Sequence, residues 1–331
     1  MTGFPHRQNG VALLVALLTV ALAVILIAGL LDRGELAFAR TRNALRGAQA
    51  TAYAQGMEAY AAEVLLKDLS ENPGVDANTD LWALPLPPQQ VPGGVISATM
   101  RDLNGCFNLN NLAPDLPDTA ARAAWLDMFR TLLGVRGIDP ELADAVVDWL
   151  DSDHDPRGND GAEDTAYLAL PVPFRAANRN FAHVSELRLV RGFDGPAYAR
   201  LAPFVCALPS GSRLNINTAS VPILQSLDPH IGQAIAERLW NDGHAQWTSV
   251  DELTTLLDRL GVTLAPMLVG QLGVASDYFI ARGDITLDDV PLTYYSLIER
   301  RRGTGILVLE RSRGSDDALT DVAPIAPESR R

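Results

Sequence analysis

A long apolar run opens the chain and an amphipathic run follows it. Val11 to Leu31 contain one polar residue, Thr19, and no charged residue. A helix of this length spans roughly 31 Å, the thickness of a bilayer core. No proline occurs between Val11 and Ser70, and good helix formers dominate the second part of this stretch. The pattern predicts one continuous helix, with a transmembrane part at 11–31 and an amphipathic part at 32–70. Two helices broken near Gly34 are the alternative.

Strand patterns occur on both sides of the middle of the chain. Residues 71–94 are rich in Pro, Gly and Asn and are predicted to be a loop. Period-two alternation and β-branched or aromatic residues then predict four strands, at Val95–Arg101, Tyr278–Arg282, Tyr294–Arg300 and Ile306–Arg311. Residues 301–305 fit a hairpin loop. The polar residues 312–331 are predicted to be a disordered tail.

An internal duplication fills the region between these strands. The sequence Phe-Asn-Leu-Asn-Asn at 107–111 matches Leu-Asn-Ile-Asn-Thr at 214–218, and 181–187 matches 247–253. The repeat predicts two related helical units at 108–208 and 214–275, the first enlarged by an insertion. Helices are predicted at Ala120–Leu133, Pro140–Leu150, Val184–Val190, Tyr198–Phe204, Val221–Ser226, Ile231–Trp240, Val250–Leu260 and Ala265–Leu272. The fold class is therefore α+β: a long helix and a small antiparallel sheet (71–107 and 276–311), interrupted by a large all-α block.

Composition narrows the function classes. The 331 residues include 47% hydrophobic and 20% charged residues, which excludes extended disorder as the dominant state. A net charge of −13 argues against a phosphate-binding surface. No nucleophile, base and orienting group are recognisable as a catalytic motif, so the sequence gives no case for an enzyme.

An acidic stretch in the first helical unit is the strongest candidate for a metal site. Seven acids and one arginine lie between Asp148 and Asp164. Three of them have the alternate spacing of a calcium loop, but Pro156 and Ala162 replace the glycine and glutamate that an EF-hand requires. Hard oxygen ligands favour Ca²⁺ over transition metals. The candidate ligands, in a loop at 151–180, are Asp151, Asp153, Asp155, Asp160, Glu163 and Asp164. A solvated acidic loop is the alternative.

The N-terminus allows three interpretations. Ala37–Ala39 resembles a signal-peptidase site, but charged residues separate it from the apolar run. A plain membrane anchor is the second. The third is a type IV prepilin leader, residues 1–10, cut between Gly10 and Val11, because a short polar stretch ending in glycine directly precedes the apolar run.

With this leader, the junction after Gly10, the Cys-Phe-Asn-Leu-Asn element at 106–110, the acidic stretch and Val-Ser-Glu-Leu at 184–187 resemble the K family of type II secretion minor pseudopilins. The resemblance implies a type IV pilin-like fold whose inserted units are similar to helix-hairpin-helix modules. It also implies bound calcium in the helical domain. Localisation in the bacterial inner membrane with a periplasmic C-terminal domain is expected. The expected partners are minor pseudopilins of the I and J types, other pseudopilins and the prepilin peptidase, with no nucleic acid.

Two further features gain meaning from this resemblance. Most pilins carry glutamate five residues after the cleaved bond, where this chain has Val15. Its absence fits a subunit that need not pair with one ahead of it, as at a filament tip. In an oxidising periplasm, Cys106 and Cys206 are expected to form a disulfide. Two separately buried thiols are the alternative.

A DNA-binding function is the rival interpretation, because residues 214–238 also resemble the helix-hairpin-helix modules of membrane-anchored DNA-uptake proteins. Such hairpins present the backbone amides of a Gly-x-Gly turn to phosphate. Here the first glycine is missing, and Asp228 adds a negative charge. The sequence therefore favours the pseudopilin function.

Overall fold

The computed structural model of the chain describes residues 9–114, 116, 118–301 and 305–314. Within these ranges the α-helices are α1 (Asn9–Glu71), α2 (Thr119–Val135), α3 (Ala143–Leu150), α4 (Asp164–Leu168), α5 (Gly195–Leu201), α6 (Val221–Gln225), α7 (Gln233–Trp240), α8 (Val250–Arg259) and α9 (Pro266–Val269). The strands are β1 (Leu86–Val91), β2 (Gly94–Asp102), β3 (Phe107–Asn108), β4 (Val205–Cys206), β5 (Leu214–Asn215), β6 (Leu272–Gly273), β7 (Tyr278–Leu287), β8 (Val290–Arg301) and β9 (Gly305–Arg313). Short 3-10 helices lie at Leu81–Ala83, Leu109–Leu112, Pro140–Leu142, Val184–Leu189, Ala202–Phe204 and Asn241–Gly243.

Helix α1 is continuous, as predicted, and has no break at Gly34. The chain divides into two compact units between Gln55 and Gly56. In the first unit the apolar side chains from Val11 to Leu31 are exposed. Among the described residues α1 is the one helix long and apolar enough to cross a bilayer. The structure therefore contains the helix that the transmembrane prediction requires.

The second compact unit, which begins at Gly56, contains a five-stranded sheet in the order β1-β2-β7-β8-β9, with every neighbouring pair antiparallel. The C-terminal part of α1 packs on one face of this sheet. Its Ala61, Val64 and Leu65 form a buried cluster with Trp82, Phe279 and Ile298. The contact is close at Gly283 of β7, where a Cβ atom would overlap the side chain of Met57.

The helical block is inserted between β2 and β7, and these strands are neighbours in the sheet. Asp102 at the end of β2 pairs with Phe279 near the start of β7, so the chain leaves the sheet and returns to it at one place. The opposite face of the sheet contacts the block through a cluster of Leu103, Cys106, Cys206, Leu208, Ile280 and Tyr295. The block itself has one continuous apolar core to which both predicted units contribute.

The duplication is visible in how each unit is closed. In the first helical unit β3 pairs with β4 in parallel, with Asn108 opposite Cys206. In the second helical unit β5 pairs with β6 in parallel, with Asn215 opposite Gly273. The second asparagine of each Asn-x-Asn motif forms hydrogen bonds with the backbone of an aromatic residue in the same helical unit. Asn110 accepts from the backbone N–H of Phe181 at 2.8 Å and donates to its carbonyl at 3.0 Å. Asn217 does the same with Trp247, at 2.7 and 3.0 Å.

This correspondence makes a testable prediction about the second unit. Arg213 and Gly273 occupy the positions that Cys106 and Cys206 occupy in the first, and a Cβ built on Gly273 would lie 3.8 Å from the Cβ of Arg213. Disulfides have Cβ atoms about 3.8 Å apart. The double substitution R213C/G273C should therefore form a second disulfide in an oxidising buffer, detected by non-reducing peptide mapping. The control pair R213C/G270C should remain unlinked; linkage in the control, or its absence in the first pair, would contradict the duplication.

Several predicted elements need correction. Residues 71–94 were predicted as loop, yet β1 lies within them; its Pro87 and Pro88 are tolerated because β1 is an edge strand. Three predicted α-helices, at 140–150, 184–190 and 198–204, are wholly or partly 3-10 helices. The helix predicted at 265–272 ends at Val269, and Leu272 lies in β6. The tail was predicted to begin at residue 312, yet β9 extends to Arg313. The predicted loop residues 302–304 and the tail residues 315–331 lie outside the described residues.

Candidate metal centre

The acidic stretch forms a loop between α3 and α4, and the structure gathers part of it. Asp151 directly follows α3, and Glu163 directly precedes α4. Asp151, Asp153 and Glu163 each place one carboxylate oxygen within 4.8 Å of the other two. Three of the six residues predicted as ligands are thus brought to one point, although they are up to 12 positions apart in the sequence.

The most buried member of this group has no hydrogen-bond partner. Glu163 is 1% exposed, and neither of its carboxylate oxygens is hydrogen-bonded; the Oδ1 atom of Asp151 also has no partner. Burial first, and repulsion from neighbouring carboxylates second, raises the pKa of Glu163 to about 7 and that of Asp151 to about 6. A buried, unpaired carboxylate is costly. The donor set therefore fits a hard cation, which would ligate these oxygens and neutralise their charge.

The other three predicted ligands lie outside this group. Asp155 is exposed, and its backbone N–H donates to Asp153 Oδ1 at 2.9 Å. Asp160 is half-buried. Asp164 accepts from the Arg175 guanidinium at 3.2 Å and from the Ala176 backbone N–H at 3.0 Å, so its oxygens are already engaged.

Two carboxylates of α3 hold the loop in place. Asp148 is fully buried and accepts from the backbone N–H of Arg157, with both oxygens within 3.3 Å. Asp144, one turn earlier, pairs with Arg130 at 2.9 Å and with Arg157 at 3.2 Å. A Cβ at Gly161 would collide with Asp148, so a glycine is needed there. Asp148 was counted in the acidic stretch but not among the predicted ligands, and no role was predicted for Asp144; their spacing of four on the buried face of a helix was the available signal.

Three aromatic side chains, from Trp149, Tyr167 and Phe174, pack together next to the loop. Trp149 and Tyr167 have ring centroids 5.4 Å apart, and Phe174 stacks on Tyr167 at 5.2 Å. The Tyr167 hydroxyl accepts from the backbone N–H of Arg191 at 3.3 Å, and the Arg191 side chain donates to the Gly161 carbonyl at 3.2 Å. Glu163 directly precedes the helix that carries Tyr167 and is 1% exposed beside these contacts.

The predicted disulfide is confirmed. Cys106 and Cys206 are bonded, with Cα atoms 5.9 Å apart and a sequence separation of 100. The bond lies beside the β3–β4 pair and against the sheet. Asn108 reinforces the same seam, because its side chain accepts from the Leu208 backbone N–H at 3.0 Å and donates to the Pro209 carbonyl at 3.0 Å.

The residues predicted for processing and assembly lie at the start of α1. Gly10 and Val11 are both helical, and Val15 is 52% exposed. Residues 1–8 of the predicted leader lie outside the described residues, and cleavage stays a prediction. At the hairpin behind the rival DNA-binding interpretation, Asp228 accepts from the backbone N–H of His230 at 2.8 Å. A carboxylate is thus held at the turn where a DNA-binding hairpin would present amides to phosphate.

Comparisons with known proteins agree with one another. A family model described as type II secretion system protein K matches residues 105–210, which contain the first helical unit. The chain is 37% identical over 323 residues to type II secretion system protein K of Pseudomonas aeruginosa, with 93% of each chain covered. It is 34% identical to the corresponding protein of Pectobacterium carotovorum, covering 93% of this chain and 97% of the relative. It also resembles a chain in the crystal structure of the GspK-GspI-GspJ complex of the enterotoxigenic Escherichia coli type 2 secretion system. That match has a TM-score of 0.73 and 33% identity, and it covers 83% of this chain and 99% of the other.

Proposed function

The chain belongs to the type II secretion system protein K family, whose members are minor pseudopilins, and from this premise we propose that it caps the tip of the pseudopilus together with minor pseudopilins of the I and J types. The observation that carries the proposal is the similarity to a chain solved in a GspK-GspI-GspJ complex, over 99% of that chain. The cap would initiate pseudopilus assembly and support export of folded proteins across the outer membrane. Its mechanism is assembly, without a catalytic step.

Two features of the chain support a position at the tip. The helical block extends from β2 to β7, a bulk of roughly 170 residues that would not repeat along a thin filament shaft. Val15 presents an apolar side chain where most pilins have a glutamate. A glutamate in lipid is costly unless it is paired. A subunit at the tip has no neighbour ahead of it with which such a glutamate could pair, so an apolar residue fits this position.

Helix α1 supports membrane anchoring. The apolar, exposed residues 11–31 would hold the protein in the bacterial inner membrane, with the remaining C-terminal domain in the periplasm. Co-expression tests the assembly directly. The tagged full-length chain, extracted in detergent with candidate I- and J-type pseudopilins, should recover both in near-equal amounts. A tagged single-pass protein of unrelated sequence should recover neither, and failure of the chain to retain either partner would contradict the proposal.

Processing by a prepilin peptidase makes a prediction about the mature N-terminus. Cleavage should fall between Gly10 and Val11 and leave an N-methylated Val11, as the family implies. The peptidase must approach the backbone closely at the cut, so the substitution G10V should leave the leader attached. Intact-mass analysis of the membrane-extracted protein distinguishes the two forms. A mature protein that begins after Ala39 would contradict both the cleavage site and the membrane-retained helix.

We also propose that calcium binds Asp151, Asp153 and Glu163 and orders the loop between α3 and α4. Ligand binding to the folded state stabilises by mass action, about 2.7 kcal/mol at a hundredfold excess over Kd. The substitution D153N should therefore lower the melting temperature in calcium and leave it nearly unchanged in EGTA, because Asp153 is exposed and its loss creates no cavity.

Asp155 provides the matched control, two residues along the same loop and outside the group of three. The substitution D155N changes the charge equally and should keep the calcium response of the unmodified protein. Scanning calorimetry in calcium and in EGTA measures both variants. Identical melting curves of the unmodified protein in the two buffers would show that the loop is merely solvated.

A further inference from the structure

A second group of carboxylates lies outside the helical block, at the end of α1. Asp68 is in the last turns of that helix, and Asp76 and Asp80 lie in the segment between α1 and β1. One oxygen from each of the three carboxylates lies within 4.8 Å of the other two. Asp68 and Asp76 are each 1% exposed, and Asp80 is half-buried.

One arginine faces this group and satisfies only part of it. Arg300 of β8, itself 3% exposed, donates to Asp68 Oδ2 at 3.2 Å and to Asp76 Oδ2 at 2.5 Å. The Oδ1 atoms of both aspartates are buried and have no hydrogen-bond partner. The Asp76 Oδ2 atom also accepts from the Ser276 backbone N–H at 2.7 Å, and Asp80 Oδ2 accepts from that of Ala77 at 2.7 Å.

The charges of the group do not balance. Three ionised carboxylates and one guanidinium leave two negative charges in a site where two of the acids are almost wholly buried. Burial, followed by repulsion from Asp80 and Asp76, raises the pKa of Asp68 to about 6. Buried carboxylate oxygens without partners are costly and uncommon in folded proteins. The loop at Glu163 has the same two features: buried carboxylate oxygens without a hydrogen-bond partner, called orphan oxygens below, and carboxylates that lie close together.

We propose that Asp68, Asp76 and Asp80 bind a second divalent cation, held by the two orphan Oδ1 atoms and the Asp80 carboxylate. A divalent ion brings the net charge of the group to zero and ligates the oxygens that Arg300 leaves unpaired. The donor set consists of carboxylates alone, with no cysteine or histidine, which selects Ca²⁺ or Mg²⁺ over transition metals. Ca²⁺ is the better fit, because it accepts irregular oxygen geometry whereas Mg²⁺ demands a near-ideal octahedron.

Such an ion would tie the end of α1 to the sheet and to the helical block. Asp76 contacts Ser276 at the return of the chain from the block, and Arg300 donates to the Ser276 carbonyl at 2.7 Å. The Asn215 side chain of the second helical unit donates to the Asp76 carbonyl at 3.0 Å and to the Ser276 hydroxyl at 2.7 Å. The second cation therefore stabilises the joint between the pilin-like part and the inserted block, independently of the loop at Glu163.

Ion counting tests the proposal with Ca²⁺ alone and, in a second arm, Mg²⁺ alone. The full-length protein in detergent is dialysed to equilibrium against the metal at neutral pH, and bound metal per chain is measured by elemental mass spectrometry. The variant D80N should bind one Ca²⁺ fewer than the unmodified chain and should keep the ion that D153N removes. The amide side chain introduced by D80N retains an oxygen that can accept from the Ala77 N–H, and melting in EGTA confirms that the variant folds.

The exposed Asp127 of α2 supplies a control with the same change of charge. The substitution D127N should leave the ion count unchanged. An unchanged ion count in D80N, or complete loss of bound Ca²⁺ in D153N alone, would overturn the second site while leaving the first intact. Equal retention of Mg²⁺ and Ca²⁺ by the site would overturn its assignment to Ca²⁺.

Discussion

Replacing Cys106 and Cys206 together with alanine should lower the free energy of unfolding by about 4–5 kcal/mol, because their disulfide closes a loop of about 100 residues. The bond acts mainly on the unfolded chain, whose freedom it restricts. The native seam keeps other contacts, including the pairing of β3 with β4 and the hydrogen bonds of Asn108. The variant should therefore fold to the same structure, with a lower midpoint in urea denaturation.

Reduction of the unmodified protein provides the control for this prediction. In the presence of a reducing agent, its unfolding midpoint should fall toward that of the double variant, and the double variant should not respond to the reductant. Equal midpoints for the oxidised unmodified protein and the double variant would show that the disulfide contributes nothing to stability.

Replacing Arg300 with methionine should destabilise the second compact unit by about 3–5 kcal/mol, the usual cost of leaving buried charges without their partner. The change removes both ion pairs to Asp68 and Asp76, the hydrogen bond to the Ser276 carbonyl, and a cation–π contact with Phe279 at 4.9 Å. Urea denaturation in EGTA measures the loss without interference from bound cations.

The neighbouring Arg301 is the matched control, because its side chain is 53% exposed and pairs with Glu299. Exposed ion pairs contribute about 0–1 kcal/mol, so the substitution R301M should have a small effect. Similar losses from R300M and R301M would contradict the importance of the buried network.

The elements with strong sequence periodicity were predictable. The uninterrupted apolar and amphipathic run of α1, the alternation in β2 and the helical pattern of α2 all appear within two residues of the predicted ends. The α+β pilin-like fold with an inserted helical block is confirmed by the match to the solved secretion-system chain. These elements have in common that their own residues, rather than distant contacts, determine their conformation.

Elements that depend on tertiary contacts were not predictable. Strand β1 contains two prolines and forms because β2 offers it an edge. The two-residue strands β3 to β6 have no periodicity at all and exist only because the start and end of each helical unit meet. Sequence repetition revealed the units, but the parallel pairs that close them needed the folded chain.

The candidate metal centre also combines predictable and unpredictable features. Charge density and spacing identified the acidic loop, but they could not separate Asp153, which joins the group at Glu163, from Asp164, which pairs with Arg175. The second group could not be predicted for a stronger reason. Asp68, Asp76 and Asp80 belong to a helix and to the segment that follows it, and only the fold brings their carboxylates within 4.8 Å of one another, with Arg300 of the distant β8 pairing with two of them.

The place where the block is inserted has a consequence for the order of folding. Strands β2 and β7 pair directly, so without a folded block the chain must close a loop of roughly 170 residues, at an entropic cost of about 4–5 kcal/mol. A folded block removes that cost, because the pairing of Asp102 with Phe279 then joins two ends already held side by side. We expect the helical block to fold first and to bring β2 and β7 together. The sheet, and with it the face on which the C-terminal part of α1 packs, would then form last.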